Sequence, residues 1–226
     1  MHIPDGWVDL PTSAGAALVA GAGVAVAARR TAARLKERAT TLPAVLAAYL
    51  LVAQLPVVPL GVGTGAHLVG TGLATALVGP SVAIVCVTTV VVVQALVLAD
   101  GGVTAIGLNL LHNGIVPALV AWAVLAVGSR VIGTEPARLP AVAGVAAGLA
   151  TLAAAATAAT ELTVGGTDVI PPGTVAAVIG AAHLVVAVAE GALTAAIVGV
   201  LVRLRPDLVI RPAPRRPAAS AAPSSP

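Results

Sequence analysis

Apolar stretches suited to bilayer crossings follow one another along this chain with only short polar breaks between them. Windows at 12–29, 43–59, 66–80, 81–99, 107–127, 139–161 and 174–202 carry no more than one Asp, Glu, Lys or Arg apiece. About 20 apolar residues of helix cross the ~30 Å hydrocarbon core. Only a helix or a closed barrel satisfies every backbone N–H and C=O there. The pattern predicts an all-α integral membrane protein, a bundle of about seven transmembrane helices. The third window is the shortest. It is split from the fourth at Gly79-Pro80-Ser81, because Pro cannot continue a helix and Gly tolerates the reversal. With 58% hydrophobic residues, 9% charged and a mean hydropathy of +1.04, the chain falls far from the roughly 25% charged composition of a soluble domain.

The basic residues then become topology signals. Arg29, Arg30, Arg34, Lys36 and Arg38 follow the first window; Arg130 and Arg138 lie between the fifth and sixth; Arg203, Arg205, Arg211, Arg215 and Arg216 follow the last. Seven crossings put all three clusters on one face, which the positive-inside rule makes cytoplasmic. The N-terminus is expected outside and the C-terminus in the cytoplasm, so the pI near 10.0 does not signal nucleic acid. The outer face collects Asp5, Asp9, Asp100, Glu161 and Asp168, with the loop at 61–66. Residues 1–210 form one membrane-embedded domain of a cell-membrane protein. Residues 211–226, RPAPRRPAASAAPSSP, have no apolar period and are expected to be a disordered cytoplasmic tail. No G-x-x-x-x-G-K-[ST] loop occurs, so any ATP hydrolysis belongs to another chain and this one is not read as an enzyme. Cys86, the single cysteine, reads as a small core residue. Ala17, Gly21 and Ala25 mark a small-residue helix face suited to docking a partner helix.

Polar side chains at membrane depth are costly and call for a reason. Asn109, His112 and Asn113 share one face at i, i+3, i+4, and His183 and Glu190 lie seven apart on another. They could form a second metal site or a polar pathway. Hydrogen bonding from helix to helix is the plainer reading, since no pair closes a ligand set. Gln94 takes the same reading.

The chain opens MHIPDGWVDL, with no positively charged leader. If Met1 is retained, its amine, the main-chain nitrogen of His2 and the His2 imidazole form a chelating series. The first pair closes a five-membered ring through a metal, and the second a six-membered ring through Nδ1. With the amide proton displaced the three donors are coplanar, and one further imidazole fills the plane. Such all-nitrogen tetragonal coordination suits Ni(II) or Cu(II), with Co(II) also possible, and does not suit Mg, Ca or tetrahedral Zn. An amine with a free pKa near ~8 must lose its proton, so binding weakens as pH falls. His67, in the Gly-rich run PLGVGTGAHLVGTG, stands where an apolar helix begins. A helix N-terminus favours the neutral imidazole that a metal requires.

Four segments together resemble a known family: MHIPDGW, GTGAHLVGTGLATALVGP, QALVLADGGVTAIGLNLLHNGIV and HLVVAVAEGALTAAIVGVLVRLRPDLV. In this order, over residues 1 to about 210, they are similar to the CbiM/NikM family, the metal-specific membrane (substrate-binding) components of energy-coupling-factor cobalt and nickel transporters. The resemblance implies an ATP-driven importer component whose N-terminal segment folds back into the bundle from outside, and the run Pro4-Asp5-Gly6 itself reads as the turn that lets it do so. The resemblance also implies Met1, His2 and His67 as metal ligands and transported Ni(II) or Co(II) as the cargo, with no prosthetic group. It further implies a transmembrane coupling subunit, cytoplasmic ATPase subunits and often a small accessory membrane protein, all in membrane lipid. Cobalt for cobalamin synthesis and nickel for a nickel enzyme both remain open. Two rivals are a membrane-embedded metalloenzyme using His112, His183 and Glu190, and a passive polar-lined channel that needs no free amine.

Overall fold

Asp9 starts the first long helix, α1 (Leu10–Glu37). Its carboxylate accepts hydrogen bonds from the Thr12 main-chain N–H (2.8 Å) and hydroxyl (3.1 Å), satisfying a donor that a helix start leaves open. The computed structural model describes residues 1–37, 41–133, 135–167 and 170–210, without the side chains of 34–37. The expected tail 211–226 with its three arginines, together with Arg38 and Asp168, lies outside the described residues. Five helices follow: α2 (Leu42–Gln54), α3 (Thr71–Val97), α4 (Ile106–Val131), α5 (Leu139–Gly165) and α6 (Pro172–Leu204). Pro43, Pro140 and Pro172 occupy first turns, where a missing N–H costs nothing. All but α2 are long and apolar enough to cross a membrane, and α2 is an apolar helix of 13 residues. A short hairpin pairing Val58–Pro59 with Gly65–Ala66 lies between α2 and α3, and Val8 bridges Gly166.

α3 is two arms folded against each other. Gly79 has φ 77° and ψ 167°, far from helical values, and Pro80 follows it. Gln54 joins the arms: its amide donates to the Val69 carbonyl just before the first (2.8 Å), and its oxygen accepts from Gln94 late in the second (3.2 Å). A straight helix would hold Thr71 and Gln94 about 35 Å apart at 1.5 Å per residue. The chain therefore doubles back at Gly79-Pro80, where the Gly-Pro-Ser pattern places a break. Gln94 bonds helix to helix as expected.

The predicted helical window 66–80 needs correction. Helix begins only at Thr71, and the eight residues to Val78 span about 12 Å, too short to cross a bilayer as helix. Residues 65–70 are non-helical and largely buried, with Gly70 at φ 71° marking the switch into helix. Irregular backbone at membrane depth is tolerated when protein side chains satisfy it. Gln54 does so here for Val69, and Glu190 for Val69 and Gly70. The second window likewise stops short of residue 59, at Gln54, because Pro56 and Pro59 end the helix.

α5 and α6 pack at backbone contact. A Cβ on Gly144 would lie 2.7 Å from the Gly191 carbonyl oxygen, and one on Gly191 would lie 3.1 Å from that of Gly144. Small residues permit this approach where dispersion, not water release, holds helices together. The buried residues of α6 are Val175, Ile179, His183, Ala187, Glu190, Thr194 and Val198, a single stripe at helical spacing. Val185, Val188, Val200 and Leu204 face outward, as lipid contact requires. Cys86 is buried and directs its thiol to the Pro43 carbonyl (3.3 Å), in keeping with a core role. All three residues of the expected docking stripe, Ala17, Gly21 and Ala25, are exposed, although the Ala17 backbone also lies against Gly107.

Candidate metal centre

The N-terminal tripeptide is built into the bundle by its carbonyls. Pro4 leads into a turn at Asp5-Gly6, where Gly6 has φ 82°, as the Pro-Asp-Gly pattern suggests. Asp5 then clamps the loop before α4, accepting from the Thr104 N–H (2.7 Å) and hydroxyl (2.5 Å). Behind the turn, Asn109 meets Ile3 in both directions: its Oδ1 accepts from Ile3 N (2.8 Å) and its Nδ2 donates to Ile3 O (3.1 Å). Gly102 N also donates to Ile3 O (2.9 Å), and the Thr64 hydroxyl to His2 O (3.2 Å). The Met1 carbonyl accepts from His112 Nε2 (2.5 Å) and Asn113 Nδ2 (3.4 Å). Met1 and Ile3 are completely enclosed.

A π-turn over Leu111–Ile115 carries His112 and Asn113 to this segment. Pro117 lacks the N–H that would bond the Asn113 carbonyl four residues back. The Thr71 hydroxyl supplies that bond instead (2.5 Å). His112 also approaches Glu161 Oε2 through Nδ1 (2.6 Å), so α5 braces the ring that holds Met1.

What these bonds leave over is a set of nitrogens. Among the described residues, the Met1 amine and the His2 main-chain N–H make no hydrogen bond, although all three carbonyls of the tripeptide and Ile3 N do. The Nε2 atoms of His2 and His67 are buried and without partners. The two rings stand edge to face with centroids 4.8 Å apart and an interplanar angle of 73°. Burial pushes the Met1 amine down from 8.0 to about 4, against opposing charges on Asp100 and Glu190. Burial, then the nearby amine, pushes the His2 imidazole down from 6.5 to about 3. Both are therefore neutral at ordinary pH, the form that binds metal. Burial raises the Asp100 carboxyl, while the amine acts against that shift.

The sequence-predicted residues divide into groups. Met1, His2 and His67 come together. Asn109, His112 and Asn113 share a face as expected, but they bond to the N-terminal segment more than to neighbouring helices. Glu190 does not act with His183; it accepts from Val69 N and Gly70 N (2.9 Å for Gly70) and from the Thr151 hydroxyl (2.7 Å). Among the described residues, His183 bonds only within its own helix. His2 Nδ1, expected to close a chelate ring, faces the Asp100 carbonyl at 3.1 Å. To reach a metal it must leave that carbonyl. Sequence reasoning missed Gln54, although the signal that flagged Gln94 applies equally to it. It also gave Glu161, Asp100 and Thr64 no role at the site, because their partners lie far away in sequence. Among the described residues, no three His, Cys, Asp or Glu side chains gather as a metal-binding group. A site here draws on main-chain nitrogen.

An apolar helical bundle with its own N-terminus folded in beside a histidine defines a class of multi-pass membrane protein. Residues 2–208 match the CbiM family, described as cobalt uptake substrate-specific transmembrane region, and the chain belongs to that family. A candidate metal transport protein of Haloquadratum walsbyi is 35% identical over 212 residues, covering 92% of this chain and 93% of the relative. The fused nickel transport protein NikMN of Rhodobacter capsulatus is 34% identical over 228 residues, covering 96% of this chain and 65% of the relative. The cobalt transport protein CbiM of Geobacter sulfurreducens is 34% identical over 218 residues, covering 93% and 62%. The chain thus spans somewhat less than two thirds of the latter two. A crystal structure described as a transition metal transporter shares the fold, with a TM-score of 0.78 and 23% identity over 92% of this chain and 93% of that one.

Proposed function

We propose that this protein is the substrate-specific membrane component of an energy-coupling-factor importer for Ni(II) or Co(II), and that it holds the ion through Met1, His2 and His67. The carrying observation is the selectivity of the hydrogen bonding: the tripeptide's carbonyls are tied down, while the Met1 amine, the His2 main-chain N–H and His67 Nε2 are left without partners among the described residues, and of the four donors His2 Nδ1 alone is engaged, with the Asp100 carbonyl. The Met1 amine, the deprotonated His2 amide, His2 Nδ1 once released from the Asp100 carbonyl and His67 Nε2 make a planar four-nitrogen set suited to these ions. One amide anion against a dication leaves a charge of about +1, and a nearby carboxylate, Asp100 or Glu190, whose charges the Met1 amine feels, is enough to offset it.

Seven passes, with the N-terminus outside and the C-terminus in the cytoplasm, accord with the basic clusters and with the doubling of α3. Residues 65–78 then serve as a third pass, half extended and half helical. The fused names of relatives such as NikMN support a transmembrane partner, and cytoplasmic ATPase subunits would drive the cycle. The metalloenzyme rival loses support because His112 and Glu190 have their ligand atoms committed elsewhere. A passive channel gives no reason to bury an amine. The test is to place two residues ahead of Met1 and titrate the purified full chain with Ni(II) and Co(II) by calorimetry. Affinity should fall by about 100-fold or more; unchanged binding would refute the reading.

A further inference from the structure

Beside the buried imidazoles of His2, His67 and His112 stands a fourth, His183, which belongs to none of the donors above. His183 lies on the buried stripe of α6, two turns before Glu190, and is wholly enclosed. Its Nδ1 donates to the Ile179 carbonyl one turn back in the same helix (2.8 Å). That bond fixes the tautomer, with the proton on Nδ1 and the lone pair on Nε2. Nε2 sits across the ring from the bond, faces away from its own helix backbone, and is buried without a partner. Ile179, one turn before His183, packs in the same core cluster as Met1, Ile3 and Val69, and Glu190, two turns after it, binds the Val69 and Gly70 nitrogens just past His67, so His183 lies on the stretch of α6 that faces the site. A buried lone pair with no donor is costly and calls for a reason. A bond to the ring's own helix supplies none, because a helix satisfies that carbonyl from its backbone.

We propose that His183 is the exchange ligand of the site, the nitrogen onto which a Ni(II) or Co(II) ion passes as it leaves the Met1–His2–His67 set. The inference rests on the ligand reading given above. A planar four-nitrogen ion keeps its two axial positions open, and ligand replacement there proceeds by entry of a fifth donor before an old one departs. In this step a bond forms between the metal and His183 Nε2, and the bond to His67 Nε2 breaks. The oxidation state of the metal does not change. No proton moves, because the Nδ1 of His67 donates to the Leu68 carbonyl (2.8 Å) and its Nε2 also carries a lone pair. His183 does not gather with His2 and His67 into a three-ligand cluster among the described residues, which suits a donor waiting beside the resting set.

The full chain in detergent, loaded with Ni(II), is mixed with excess chelator and the release rate is recorded, alongside equilibrium Ni(II) affinity. His183→Ala and the volume-filling His183→Phe are compared with His67→Ala, and a variant that does not fold is replaced by the other. Both His183 variants should release Ni(II) about tenfold more slowly, with affinity within about threefold of wild type. A purely structural role would lower the melting temperature and leave the release rate where it was. Release at the wild-type rate overturns the proposal. So does a loss of affinity equal to that of His67→Ala, which would make His183 a resting ligand. Full Ni(II) affinity in His67→Ala overturns the underlying ligand reading instead, and is recognisable without any His183 result.

Discussion

Glu190 on α6 accepts hydrogen bonds from the main-chain nitrogens of both Val69 and Gly70, 121 and 120 residues away in sequence. These nitrogens open the short helical arm that runs to Gly79, so one carboxylate replaces the turn of helix that the Gly-rich run cannot form. Thr151 on α5 steadies its second oxygen (2.7 Å).

Removing that carboxylate leaves two buried N–H groups without acceptors, each costing about 1–3 kcal/mol. Glu190→Ala should therefore destabilise the protein by roughly 2–5 kcal/mol, and Glu190→Gln, which keeps an acceptor, by less. Thermal unfolding in detergent measures both. A melting temperature equal to wild type in Glu190→Ala would contradict the role.

Asn109 acts on the N-terminal segment rather than on the bundle. Asn109→Leu should loosen Met1–Ile3 and weaken Ni(II) binding by about 10- to 100-fold, with little effect on global melting. Asn109→Asp keeps the acceptor for Ile3 N but loses the donor to Ile3 O, and should fall between. Calorimetry of Ni(II) with each variant reads the order, and an affinity unchanged in Asn109→Leu would rule out the clamp.

His112 and Glu161 should prove energetically coupled through the Met1 carbonyl. In a double-mutant cycle on Ni(II) affinity, His112→Ala and Glu161→Ala together should cost less than the sum of the two, by about 0.5–3 kcal/mol. Strict additivity would mean that Glu161 does not act through the ring.

Hydrogen bonds from Thr104 hold the Asp5 carboxyl below its ordinary 3.8. A carboxyl whose folded pKa is depressed contributes stability that is complete above its unfolded value and is lost as pH falls through the folded one. Docking of the N-terminal turn should therefore hold at neutral pH and weaken below about 3.8. Trp7 lies against Gly63, so its fluorescence in a Trp122→Phe background reports the turn. Asp5→Asn should abolish the acid transition; its persistence would assign the transition to another group.

Much of the architecture was legible because apolar length and Gly-Pro punctuation are local signals. The break at Gly79-Pro80 and the turn at Pro4-Asp5-Gly6 could be placed from a handful of residues. The unwound stretch before Thr71 could not, since glycines announce only that a chain bends, and the groups that make its backbone tolerable in the interior come from α2 and α6. The site followed the same division. Met1, His2 and His67, the proposed ligands, were named from donor chemistry and family resemblance, and the fold brings the two imidazoles into contact. The bracing of Met1 by His112 and Glu161 was hidden, because no periodicity links the fifth window to a glutamate near the end of the sixth. Glu190 and His183 share a face as their spacing says, yet they serve different neighbours, a distinction that spacing does not contain.

The partners of Ile3 and Met1 lie 106 and 111 residues further along the chain. Closing so long a loop brings no reward until α4 and α5 stand in place. The seat of the first residues is thus made by a helix that begins a hundred residues later, so anything that displaces α4 also releases the amino terminus.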